Sequence, residues 1–122
     1  LKEDFDADFC SDAECEKYIK EWAAKGVAID PHTATCFKVA ANLTHPTVIT
    51  STAHWVKFAP SMFKALKNET LKDEKSGLEA LAAEFNDEVP GAIRSLFAKF
   101  AVHNEIAAKS DIETKILAWI KR

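Results

Sequence analysis

Apolar residues recur at helical spacing along much of the chain, and helix-start signals precede them. The first helix is predicted after Ser11, which forms a capping-box pattern with Glu14, and Gly26 marks its end. The second is predicted to begin at Asp30, an N-cap residue followed by proline, and to run to about Asn42. The first helix carries an apolar stripe on one side, so we expect it to pack against a core.

Four further helices are predicted downstream of these two. They open at Pro60, at Leu78, at Pro90 and at Ser110, which forms a second capping-box pattern with Glu113. The stretch 67–76 is charged and is predicted to be a solvated connection. The pattern thus indicates about six helices.

Two short apolar or β-branched runs lie between the early helices and predict strands. These are Val27–Ile29 and Thr47–Ser51. Two isolated short strands do not form a stable sheet. The middle of the chain is therefore predicted to be the last α/β portion of a larger sheet, and its free strand edge predicts either dimerisation or cover by the chain's own helices.

Net charge, the length of apolar runs and the spacing of glycines exclude or disfavour several functions. Sixteen basic and nineteen acidic residues give a net charge of −3, which disfavours a nucleic-acid binder. No apolar run approaches the roughly 20 residues of a membrane-spanning helix, so no membrane association is expected. The three glycines lie far apart, which excludes a phosphate-cradling loop within this chain.

Cysteine usage favours a reducing compartment. The three cysteines cannot all pair with one another, and no signal peptide is evident, so a cytoplasmic location is expected. The spacing of Cys10, Cys15 and Cys36 matches no zinc-site pattern. No metal site is therefore predicted.

Polar clusters follow both strand candidates. Asp30-Pro31-His32-Thr33-Ala34 follows the first, and Ser51-Thr52-Ala53-His54 follows the second. Ligands of open α/β sheets bind outside the carboxyl ends of the strands. The two clusters are therefore predicted to form one wall of a ligand pocket.

These clusters resemble two signatures of threonine synthase. Gly26 together with Asp30–Ala34 resembles GxxxDPHTA, and Ser51–Phe58 resembles STAHPAKF, with the same order and spacing. Trp55 stands where the family usually has proline. The family consists of pyridoxal-phosphate enzymes with the tryptophan synthase β-like fold.

The resemblance implies an architecture for the chain. It would be a predominantly helical α/β fragment, the C-terminal part of that fold, with two short strands and about six helices. Residues 1–67 would be the C-terminal α/β part of the catalytic domain that binds pyridoxal phosphate, and residues 68–122 a C-terminal helical tail.

The resemblance also implies an activity for the complete enzyme. It would be a lyase of threonine biosynthesis that converts O-phosphohomoserine and water to threonine and phosphate. The lysine of the Schiff base and the glycine loop for the coenzyme phosphate lie upstream in this family. No catalytic residue is therefore expected in this chain, which alone would be inactive and would not hold the coenzyme. Its partners would be the missing N-terminal part and a second copy of the chain in a homodimer.

Several residues carry roles by this resemblance. Those implied at the coenzyme are Thr52, Ser51, His54, His32 and Thr33. Thr52 would face the pyridine nitrogen, and a hydroxyl there does not hold that nitrogen protonated as a carboxylate would. Lys57 would either attract an anionic substrate or pair with Asp30.

Simpler structural roles remain open for the same residues. Thr52 can cap a turn, His54 can bond to the backbone, and Thr33 can cap a helix. Two other functions also remain open. One is a stand-alone helical interaction domain whose motif matches are accidental. The other is a different enzyme of the same fold, such as a threonine dehydratase, although the paired motifs argue against it.

Overall fold

The computed structural model describes residues 4–121, which are mainly helical. The six α-helices in this range are α1 (Asp12–Ala23), α2 (Pro31–Ala40), α3 (Ala59–Lys67), α4 (Glu74–Phe85), α5 (Gly91–Leu96) and α6 (Ile112–Ile120). Two 3-10 helices, Trp55–Phe58 and Lys109–Asp111, directly precede α3 and α6. Helix α1 packs against α2 and α3, and α3 packs against α4.

The predicted start signals of the first two helices are confirmed. The Ser11 side chain accepts a hydrogen bond from the Glu14 backbone N–H, and the Ser11 backbone N–H donates to the Glu14 carboxylate. Gly26 follows α1 with φ +76°, a conformation that glycine adopts without strain. Asp30 caps α2, which ends at Ala40, slightly before the predicted end.

Helix α4 begins inside the stretch predicted as a solvated connection. The Asp73 side chain accepts from the Ser76 backbone N–H at 2.8 Å and starts the helix there. Leu71 packs so closely on Gly77 that a Cβ at Gly77 would lie 2.0 Å from Leu71 Cδ1. This contact folds the connection back onto α4, so the predicted connection 67–76 is too long.

The predicted capping box of Ser110 with Glu113 does not form, so this prediction is wrong. The Ser110 hydroxyl donates to the neighbouring Asp111 carboxylate at 2.8 Å, and α6 begins at Ile112 without a side-chain cap. The helical spacing of Ile93, Leu96, Phe97 and Phe100 predicts a helix that reaches Phe100, but α5 ends at Leu96. Phe100 is 95% exposed, so its side chain gains no packing that would stabilise a further helical turn.

The two predicted strands do not form within residues 4–121. Both Val27–Ile29 and Thr47–Ser51 are irregular segments. A strand needs a hydrogen-bonded neighbour, and these segments do not pair with each other. Val48 is 93% exposed, although its β-branched side chain is typical of a buried strand. The tryptophan synthase β-like fold stays a prediction.

One hydrophobic core joins the elements from α1 to the end of α4. Its fully buried members include Ile19 on α1, Met62 on α3 and Leu81 on α4. Core residues thus come from both sides of residue 67. The division into 1–67 and 68–122 stays a prediction.

The last part of the described chain contributes no buried residue. From Gly91 to Lys121 every side chain is at least partly exposed. Helix α6 contacts the 3-10 helix before it and presents large apolar side chains to solvent, including Ile116, Leu117 and Trp119. None of the helices in the described range is both long and apolar enough to cross a bilayer.

We predict that Met62→Ala lowers the free energy of unfolding by about 2–5 kcal/mol, because Met62 is fully buried and its truncation leaves a cavity. Urea unfolding followed by circular dichroism measures this. Val102→Ala is the control, since Val102 is 84% exposed and its truncation should change stability by less than about 0.5 kcal/mol. Equal effects of the two substitutions would contradict the described core.

Candidate functional site

An open cleft of about 640 Å³ lies beside the ends of the two segments predicted as strands. Its lining consists of residues 26–30 with Thr33 and Phe37, and of residues between 49 and 55. Phe85 at the end of α4 and the next two residues, Asn86 and Asp87, complete the lining. The cleft therefore brings together Thr33 from the first motif with Ser51 and His54 from the second.

A chain of hydrogen bonds joins the two motifs in the lining of this cleft. Asp30 Oδ1 accepts from the backbone N–H groups of His32 and Thr33, at 2.9 and 3.4 Å. Asp30 Oδ2 accepts from the Thr33 hydroxyl at 2.5 Å, and Thr33 Oγ1 lies 2.9 Å from Ser51 Oγ. Asp30 and Thr33 are buried, whereas Ser51 is exposed. The start of α2 thereby anchors the second motif.

His54 belongs to the same cleft and also shapes the backbone. It is the N-cap of the 3-10 helix, where its Nδ1 accepts from the Val56 backbone N–H at 3.3 Å. A neutral imidazole that accepts at Nδ1 carries its proton on Nε2. His54 thus makes the hydrogen bond to the backbone that was one of its two predicted roles, and it also lines the cleft.

Trp55, at the position where the threonine synthase signature has proline, connects this motif to α4. Its side chain is buried, its ring centroid lies 5.9 Å from that of Phe85, and its Nε1–H donates to Asp87 Oδ2 at 3.0 Å. This indole N–H, followed by the Glu88 backbone N–H, lowers the pKa of the Asp87 carboxyl below its ordinary value. Sequence reasoning did not single out Asp87, which lies far from both motifs along the chain.

His32 and Lys57 lie outside the cleft lining, and both are close to the Phe58 ring. The His32 ring meets the Phe58 ring edge-on at 4.8 Å, and Lys57 Nζ lies 5.8 Å from the Phe58 centroid. Both polar side chains are exposed. Within residues 4–121, the ion pair of Lys57 with Asp30 is not found, because the Asp30 carboxylate is buried in its own hydrogen bonds.

Thr52 is exposed and does not line the cleft. Its neighbour Ser51 occupies the inner position instead. The implied contact of Thr52 with a coenzyme ring stays a prediction.

The charges around the cleft are acidic. Asp30 and Asp87 line it, whereas no lysine or arginine does so in the described part of the chain. Free N–H groups at a helix start attract anions, but those of His32 and Thr33 at the start of α2 donate to Asp30. The cleft therefore offers hydroxyl, imidazole and carboxylate groups and disfavours a phosphate.

No metal-binding group of three or more suitable side chains occurs among residues 4–121. The three cysteines, all within this range, are free thiols. Burial raises the pKa of the Cys15 thiol to about 11, and its S–H donates to the Pro31 carbonyl at 3.3 Å. Cys15 is thus a protonated packing residue beside α2.

We predict that Thr33→Val lowers the free energy of unfolding by about 1–3 kcal/mol, because it leaves the buried Asp30 carboxylate without its hydroxyl donor. Chemical unfolding of the purified chain measures the loss. Thr52→Val is the matched control, since Thr52 is exposed and the change should stay within about 0.5 kcal/mol. If Thr33→Val left the free energy of unfolding unchanged, the hydrogen bonds of Thr33 between the two motifs would not stabilise the fold.

The Trp55–Asp87 bond predicts a pH dependence. A lowered folded-state pKa gives stability that is complete above about pH 4, the ordinary aspartate value, and that is lost as the pH falls through the lower value. Trp55→Phe removes the donor. We expect the stability difference between the parent chain and Trp55→Phe to shrink on acidification, in thermal melts at several pH values. A difference that stays constant with pH would refute the role of Asp87.

The chain is similar to proteins named threonine synthase-like 1. It is 39% identical over 90 residues to that of Homo sapiens and 38% identical over 90 residues to those of Macaca fascicularis and Mus musculus. Each alignment covers 70% of this chain but 12% of the relative, so the chain matches a small part of these longer proteins.

A stretch of that size contains the middle of the chain wherever it begins, so it includes the second motif at 51–58. No protein-family model matches the chain, and no solved structure matches it either. The chain is similar to proteins named threonine synthase-like 1 over most of its own length.

Proposed function

We propose that this chain forms one wall of the coenzyme site in a pyridoxal-phosphate lyase of the threonine synthase type. The reaction of the complete enzyme would convert O-phosphohomoserine and water to threonine and phosphate. One observation carries the proposal. The two signature motifs, separate in the sequence, meet through the 2.9 Å contact of Thr33 Oγ1 with Ser51 Oγ at the edge of a cleft.

The groups lining the cleft fit one end of the coenzyme. Hydroxyl and imidazole side chains suit the heteroaromatic ring, whereas the acidic lining does not suit the phosphate. Pyridoxal phosphate, when bound, draws electron density from the α-carbon of an amino-acid substrate. The phosphate site and the lysine that holds the coenzyme would be supplied by protein outside this chain.

Each predicted residue has a role in this proposal that suits its position. Ser51, oriented by Thr33, would hydrogen-bond the ring, and His54 would line the same cleft with its Nε2–H available. Thr52 would contact the ring nitrogen once the surrounding sheet orders the segment. The exposed Lys57 and His32, which both contact Phe58, would face the anionic substrate from outside the cleft.

The partners and location follow from the same proposal. The chain spans 12% of the relatives' length, and most of the enzyme would be contributed by the remainder of a longer polypeptide. That remainder would also provide the neighbouring strands that Val27–Ile29 and Thr47–Ser51 lack. A cytoplasmic enzyme, with a second copy as a further partner, remains our expectation.

The alternative of a stand-alone interaction domain with accidental motifs gains no support from the comparisons. The similarity to threonine synthase-like 1 extends over 90 residues, far beyond either motif. An accidental match of two short motifs does not produce such an extended similarity.

The decisive experiment uses the full-length product of the gene. We expect the pure protein to show the absorbance of bound pyridoxal phosphate and to release phosphate from O-phosphohomoserine with formation of threonine. Ser51→Ala should lower the rate at least about tenfold, because a ring contact is lost. Val102→Ala, at an exposed position away from the cleft, is the control. A colourless product without coenzyme would overturn the proposal.

A further inference from the structure

Residues 51–54, which carry the second motif into the cleft lining, form an irregular stretch between two anchoring contacts. At its start, Ser51 Oγ lies 2.9 Å from Thr33 Oγ1, and at its end Trp55 directly follows His54. In the part of the chain that the structure describes, no hydrogen bond between backbone groups involves residues 51–53. The position of the stretch therefore depends on the side chains that hold its two ends.

Trp55 anchors the second end through a partner from beyond α4. Its side chain is 4% exposed, and its Nε1–H donates to Asp87 Oδ2 at 3.0 Å. A buried indole N–H without an acceptor is unfavourable, so this bond selects the orientation of the ring. Because Trp55 is covalently joined to His54, the orientation of the ring also constrains the end of the stretch.

The Asp87 carboxylate is itself held by the end of α4. Asn86 adopts the left-handed conformation with φ 50°, and the Asp87 N–H then donates to the Ala82 carbonyl at 2.9 Å. The second carboxylate oxygen, Oδ1, accepts from the Glu88 backbone N–H at 2.8 Å. Asp87 thus presents Oδ2 to the indole from a fixed helix terminus.

We propose that Asp87 is a positioning residue, which acts through Trp55 to hold residues 51–54 in the lining of the cleft. The packing of α4 would thereby control a site that the two motifs build. The consequence for a reaction rests on the proposed function, whereas the positioning itself does not.

Backbone amide signals of residues 51–54 in ¹H–¹⁵N spectra of the chain test the positioning. Asp87→Ala leaves the indole N–H without its acceptor. We expect these signals to shift, and their order parameters to fall from about 0.85, typical of rigid backbone, to below about 0.6. The amide of Leu81, in the core, should keep its signal. Unchanged signals at 51–54 would overturn the proposal.

Two further variants distinguish the hydrogen bond from the charge. Asp87→Asn keeps an oxygen that accepts from the indole, so residues 51–54 should keep the parent order parameters. Glu88→Ala is the matched control, since this exposed neighbour keeps its backbone N–H and should have no effect. If Asp87→Asn loosened the stretch as much as Asp87→Ala, the charge would matter and the proposed bond would not.

A double substitution tests whether Asp87 acts through Trp55. In Trp55→Phe the indole N–H is absent, so adding Asp87→Ala should change the signals of residues 51–54 no further. A further change as large as in the parent chain would overturn the proposal. Thermal melts of each variant establish that the compared chains are folded.

The full-length enzyme tests the consequence for the reaction, at a temperature well below the melting temperature of every variant. Asp87→Ala should lower the rate of phosphate release at least about tenfold, and Asp87→Asn by less than about threefold. A merely structural role would lower the melting temperature and leave the rate of the folded enzyme unchanged.

The possible failures are distinguishable. An active enzyme that Asp87→Ala does not slow would overturn this inference alone. A colourless full-length product would overturn the proposed function, while the spectra of the chain would still decide whether Asp87 positions residues 51–54.

Discussion

The buried carboxylate of Asp30 connects local folding with the chemistry of the cleft. It terminates the backbone of α2 by accepting two N–H groups, and it accepts the Thr33 hydroxyl on its other oxygen. Burial of a charged group is unfavourable unless hydrogen bonds compensate for it, so this residue tolerates little rearrangement around it. The same bonds that start a helix also hold the segment at Ser51 against it. Fold and candidate site thus depend on one side chain.

Sequence signals that act over a few residues predicted the starts of the first two helices but not the start of α6. The Ser11 capping box and the Asp30 N-cap are interactions between neighbours, and both are present. The strands failed because pairing requires backbone from elsewhere, which neither Val27–Ile29 nor Thr47–Ser51 finds in the described chain. Helix α4 begins earlier than predicted because Asp73 caps it, and the charged composition of 67–76 was taken as a connection although it contains this local N-cap signal.

The candidate site was predictable to a similar extent. The motifs identified Thr33, Ser51 and His54, which the fold brings to one cleft. They did not identify Asp87, because its bond to Trp55 spans 32 residues and depends on the packing of α4. Tryptophan in place of proline was the available signal, since a buried indole N–H usually requires an acceptor. The resemblance named the motif, but the contacts of its unusual residue required the structure.

The exposed helix α6 has a consequence for how this sequence can change over evolutionary time. Its large apolar side chains, with Trp119 73% exposed, contribute nothing to the core that begins in α1 and ends near α4. Replacing them with polar residues would therefore not be opposed by selection for the stability of this chain's core. Retention of those residues across generations would have to be enforced by something external to the core.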